Sequence, residues 1–132
     1  MVNKNHNELI YEKVDQELMI DIKNLNGELM DQALLMRKWT KAKSMASKRA
    51  KAIRNKLEYT KAQIYRDGVR KGWRVGDIQA EVTANPTVQE LTNELTEAEY
   101  ELEQLEGIVR AFYQKHDALK DLSANVRKGV ED

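Results

Sequence analysis

The chain has no cysteine, one proline and one phenylalanine, and each shortage closes off a class of protein. Without cysteine there is no disulfide framework and no thiolate chemistry. With a single proline, long stretches contain nothing that must interrupt a helix. Few β-branched and aromatic residues argue against sheet. No apolar run approaches the roughly 18 residues that a membrane-crossing helix needs. The opening Met1-Val2-Asn3-Lys4-Asn5-His6-Asn7 lacks the apolar stretch of a secretory leader, so a cytoplasmic location is expected. Motifs of catalysis are missing too: there is no GxxxxGK[ST] phosphate loop, no GxGxxG and no HExxH. No enzymatic activity, cofactor or metal is expected.

What is abundant is charge and helix-forming residues. Asp, Glu, Lys and Arg make up 33% of the 132 residues, with many Ala and Leu, a composition typical of long helices and coiled coils. The expected fold is all-α: one domain over 1–132, built as a long helical hairpin with coiled-coil-like packing plus short N-terminal and connecting helices. A thin apolar stripe closes no core alone, so a homo-oligomer is expected.

The formal net charge of zero hides strong segregation. Residues 31–75 carry fourteen Lys/Arg against three acids, a surplus of eleven positive charges, while residues 76–107 carry nine acids and no Lys or Arg. Such blocks create local fields that the total does not report.

The pattern divides the chain into five segments. Residues 7–18 form an amphipathic helix through Leu9, Ile10, Val14 and Leu18. Asp21 is an N-cap for a long basic helix over 22–66, which holds no proline and one glycine, Gly27. Asp67-Gly68 ends that helix, and 67–76 is a Gly-rich loop containing Trp73. Asp77 caps a short helix over 77–83. Asn85-Pro86 then starts a last, acidic helix over 86–127.

In that last helix Val88, Leu91, Leu95, Ala98, Leu102, Leu105, Val109, Phe112, His116 and Leu119 recur at alternating steps of three and four, the seam of a left-handed coiled coil. His116 is expected to be a polar seam residue that sets register. The run Glu94, Glu97, Glu99, Glu101, Glu103 and Glu106 wraps around the helix without converging, so it is a solvated face or a partner for another subunit.

The basic helix has a weaker seam: Met36, Trp39, Ala46, Ala50, Ile53, Leu57, Thr60 and Ile64. At about 100° per residue, Arg37, Lys41, Lys48, Lys51 and Arg66 cluster opposite it. Lys38, Arg49 and Lys56 fall on one flank, and Lys43, Arg54 and Lys61 on the other. Bases packed this densely repel one another, and a phosphate chain relieves that repulsion while releasing condensed counterions. The bland reading is that the basic helix is neutralised by the acidic one inside the fold, yet the five residues opposite the seam cannot reach it. Trp39 is expected in the core. Tyr59 and Tyr65 lie near the stripe and are expected rather to pack. Trp73, between Lys71 and Arg74 in the loop, is the better candidate for stacking on bases. Nothing points to base-specific readout.

On these residues the sequence resembles the UvsY family of recombination mediators from T-even-type bacteriophages. The N-terminal match is Ile20-Asp21, Leu25, Glu28 and Lys38-Trp39. The C-terminal match is Val82-Thr83-Ala84-Asn85, Val88, Gly107, Ala118-Leu119-Lys120 and Arg127. The resemblance spans most of the chain, and the collinear set carries it rather than any single motif. The family's DNA-contact motif runs apolar, basic, any, basic, Leu, acidic, Tyr, and Ile53-Arg54-Asn55-Lys56-Leu57-Glu58-Tyr59 is similar to it. The resemblance thus implies that Arg54 and Lys56 contact DNA. The motif lies closer to Trp39 than in the family. An alternative register brings in Lys61-Ala62-Gln63-Ile64, with Gln63 at a basic position, so Lys61 is also a candidate.

What the resemblance implies is a homo-oligomer, ring-shaped, that binds single-stranded DNA coated by single-strand-binding protein and helps a RecA-like recombinase load, in the host cytoplasm. The competing expectation is a structural or scaffold protein, such as a phage assembly chaperone, whose charge blocks match between subunits.

Overall fold

The computed structural model describes residues 6–131, with side chains described for residues 10–21 and 23–129. The side chains of Leu9 and His6 lie outside that range. The elements are α1 (His6–Leu18), a short 3-10 turn (Ile22–Asn24), α2 (Leu25–Arg70), α3 (Val75–Ala84) and α4 (Pro86–Glu131). Among the described residues there is no strand, so the expected all-α class is what forms.

Each boundary has a local cause. The Asp21 carboxylate accepts a hydrogen bond from the Lys23 N–H at 3.0 Å, and the Asp21 N–H donates to Glu28 Oε1 at 3.2 Å. Together they tie the 3-10 turn to the first turns of α2, satisfying donors that a helix start leaves orphaned. Asn85 does the same for α4, accepting from the N–H groups of Thr87 (2.9 Å) and Val88 (3.1 Å) with Pro86 in the first helical position. The expected cap for α3 is corrected: Arg74 is the N-cap, without a side-chain bond, and Asp77 falls inside the first turn.

The end of α2 also differs from expectation. Asp67-Gly68 does not stop the helix, which continues to Arg70. Gly68 is instead a point of close approach, because a Cβ there would lie 2.6 Å from Ile78 Cγ1 of α3. The stop comes at Gly72, whose φ of +73° is left-handed. Trp73 N–H bonds to the Gly68 carbonyl and Gly72 N–H to the Val69 carbonyl, the paired bonds of a Schellman cap. The connection between helices is therefore 71–74, shorter than the expected 67–76 loop.

The chain packs as two compact units. The first comprises residues 1–43 and 105–132, so three helices contribute: α1, the start of α2 and the end of α4. Its core is Val14, Trp39, Ile108, Val109 and Phe112, with Ile10, Leu18, Leu35, Met36, Ala42 and Leu105 packed against it. The Trp39 and Phe112 rings stack at 6.4 Å. Phe112 and Leu119 are fully buried, which stabilises by roughly 1.5–3 kcal/mol each. The antiparallel pairing of α2 and α4 here is marked by Gln32 Nε2, which donates to the Phe112 carbonyl at 2.9 Å. Where α1 joins, α4 buries a wider face than a two-helix seam requires. Ile108 and Lys115, one heptad apart and each one residue before the expected Val109 and His116, are buried as well.

Lys115 is the costly member of that face, since an ammonium taken from water needs close partners. It has them: Glu28 Oε2 of α2 lies 2.8 Å away, and the backbone carbonyl of Glu17 in α1 accepts a second bond. Glu17 in turn accepts from Trp39 Nε1 at 2.7 Å and Lys38 Nζ at 2.9 Å. Burial opposes ionisation of Glu17, but the hydrogen bonds from Lys38 and Trp39 and the charges of Lys38 and Lys13 outweigh it and hold the carboxyl below its ordinary value. The Lys115 hydrogen bond lowers Glu28 in the same way, against partial burial and with help from the Asp21 N–H.

The second unit, 44–104, contains the rest of α2, all of α3 and the first part of α4. Leu57, Val88 and Leu91 form its core with Ile64, Val82 and Leu95. Ala46, Ala50, Ala98 and Ile78 are also buried. Every expected seam residue of α2 and α4 is buried or partly buried.

Candidate nucleic-acid interface

The second unit carries seven bases of the α2 stripe, and their environments differ. Lys48, Lys51, Lys56 and Arg66 are exposed, and among the described residues none of them has an ion pair. Arg49 and Arg54 flank the seam on opposite sides and reach α4: Arg49 Nη1 lies 3.0 Å from Glu101 Oε2, and Arg54 Nη2 lies 2.6 Å from Glu99 Oε1. Lys61 is partly buried and sits 3.7 Å from Glu58 on its own helix. The outer-face cations Lys48, Lys51 and Arg66 are thus open, whereas on the flanks Arg49 and Arg54 hold α4 carboxylates and Lys56 holds none among the described residues.

Within the first unit, Arg37 and Lys41 are exposed and Lys43 partly buried, again without an ion pair among the described residues. Lys38 is occupied by Glu17 and lies 4.7 Å over the Trp39 ring.

Three aromatics stand among the bases of the second unit. Tyr59, expected rather to pack, is 64% exposed and accepts a bond from Gln63 Nε2 at 2.9 Å. Its angular position matches that of Lys48 and Arg66, so its ring shares their face. Tyr65 is 37% exposed. Trp73 is 42% exposed, with Lys71 Nζ 5.1 Å from its ring centre. An exposed ring beside cations offers a stacking surface to a base and a positive field to its phosphate.

Sequence reasoning missed the buried polar groups of the first unit. Gln32 lies one heptad before Trp39, so extending the α2 seam backwards would have found it. Lys115 carries no such signal, because its burial comes from α1. His116 is partly buried as a seam residue, with Nδ1 lacking a hydrogen-bond partner, as does Gln32 Oε1. Among the described residues no group of three or more His, Asp or Glu is placed to hold a metal ion, and no helix is long and apolar enough to cross a membrane.

No protein-family model matches the chain, and no curated protein matches it. The fold does have a solved counterpart. The crystal structure of the bacteriophage T4 recombination mediator protein UvsY superposes with a TM-score of 0.75, covering 98% of this chain and 100% of that one at 16% identity. The chain therefore has a UvsY-like fold.

Proposed function

We propose that the chain is a non-enzymatic recombination mediator that binds single-stranded DNA without regard to sequence. The observation that carries the reading is the row of exposed α2 cations in the second unit, Lys48, Lys51, Lys56 and Arg66, that have no carboxylate partner among the described residues. Such a row engages phosphates and ignores base identity. The likeness in fold to a protein named as a recombination mediator supports the same role. In that role it self-associates, binds strand already covered by single-strand-binding protein, and helps a RecA-like recombinase to load. Several stripes acting on one strand raise avidity without any single strong contact.

The test is binding of fluorescently labelled oligo-dT across a salt series. Affinity should fall linearly with salt on logarithmic axes. Replacing Lys48, Lys51, Lys56 and Arg66 by Ala should weaken binding to all sequences alike. Each lost phosphate contact should flatten the slope by about 0.7. Absence of binding at low salt, or a quadruple variant that binds as well as the parent, would overturn the reading. The scaffold alternative draws support from Arg49–Glu101 and Arg54–Glu99, which already match charge between helices. It expects no strand binding at any salt.

A further inference from the structure

The two interhelical ion pairs of the second unit give the proposed DNA site a built-in competitor. We infer that Glu99 and Glu101 occupy Arg54 and Arg49 as stand-ins for phosphate, and that a bound strand displaces them. This inference rests on the DNA-binding reading and adds to it a mechanism that sets affinity.

Three observations support it. First, the pairs are surface pairs: side-chain exposure is 58% and 54% for Arg49 and Glu101, and 54% and 47% for Arg54 and Glu99. Exchange of partner needs no unpacking of the Leu57–Val88–Leu91 core. Second, the chemistry is interchangeable, because the guanidinium fork accepts a carboxylate or a phosphate with the same donors. Third, the pairing is selective. Lys56 and Glu94 lie one heptad from Arg49 and Glu101, in register to repeat the contact, yet among the described residues they form no ion pair. Acid therefore closes the two arginines and leaves Lys48, Lys51 and Lys56 open beside them.

A strand would first meet the open lysines, then trade phosphates for carboxylates at Arg49 and Arg54. On release the carboxylates return. Exposed pairs are weak, so each should reduce affinity by no more than about fivefold. That is enough to keep binding reversible without blocking it. A mediator that must hand its strand to another protein gains from such reversibility.

The experiment compares three full-length proteins on labelled oligo-dT at low and moderate salt: the parent, Glu99→Gln/Glu101→Gln, and Glu94→Gln/Glu103→Gln. The last makes the same charge change on exposed acids of the same helix that form no ion pair among the described residues. Circular dichroism melts check that each remains folded. The expected result is that Glu99→Gln/Glu101→Gln binds tighter than the control pair by about 2- to 25-fold. Arg49→Ala/Arg54→Ala should then cost more affinity in the Gln background than in the parent, a non-additivity that general field effects do not produce. Equal affinity of the two Gln variants, with the parent binding, overturns the competition alone. If none of the three binds at low salt, the competition and the DNA-binding reading fall together.

Discussion

Gly68 shows how much one missing carbon can decide. It sits in the last turns of α2 facing Ile78, which is 1% exposed, and a Cβ would also lie 2.9 Å from Ile78 Cδ1. Gly68→Ala would gain up to about 1 kcal/mol of helix propensity but incur an overpacking cost of roughly 1–3 kcal/mol. The expected outcome is a net loss of about 1 kcal/mol, read as a lower urea midpoint at unchanged slope. The same residue explains a limit of sequence reading. Asp-Gly is a good stop signal, and only the position of Ile78, ten residues later, shows that this glycine serves contact. The true stop, Gly72, was one of three glycines in the same stretch, and nothing local distinguished it.

At the scale of elements, the seams of α2 and α4 were legible because burial on a helix follows a fixed period, and Asn85-Pro86 was legible because capping is local. What was not legible depends on a third body or on register. Lys115 is a charged residue at a position that a two-helix seam leaves wet, and it is buried because α1 covers it. Which bases of α2 meet acids is set by how α4 slides along α2, so Arg49 and Lys56, one heptad apart on one flank, look equivalent in sequence, whereas Arg49 is paired and Lys56 is not among the described residues. The attachment of α1 gives a prediction of its own. Both Glu17 and Glu28 have folded pKa values below their unfolded ones. The stability they contribute is therefore complete above the ordinary glutamate value of about 4.3 and lost as pH falls through the lowered folded values. Urea unfolding followed by circular dichroism should show the parent more stable than Glu17→Gln/Glu28→Gln at pH 7. The difference should shrink on acidification to pH 3, and a constant difference would contradict the assignment.

For the whole molecule, the question is what covers the apolar side chains that the single chain leaves in water. Met30 and Leu34, one turn apart on α2 in the first unit, are 77% and 69% exposed, an arrangement that self-association would bury. Light scattering should give a mass that is a multiple of the 15.3 kDa chain. Met30→Glu/Leu34→Glu should lower it towards that of one chain while leaving the helical content unchanged. A monomeric parent would separate strand binding from assembly.

The contacts of Lys115 join three separate stretches of chain in one proton-donating group: it is carried by α4, neutralised from α2 and bonded to the end of α1. If α1 swings away, that ammonium loses an acceptor and its cover at once, while Glu17 abandons Trp39 and Lys38. A half-open form, with the first helix loose and the rest undisturbed, thereby gives up the bonds of Lys115, Lys38 and Trp39 to α1 together. The three-helix end is built to come apart as one cooperative block rather than to fray from its N-terminus.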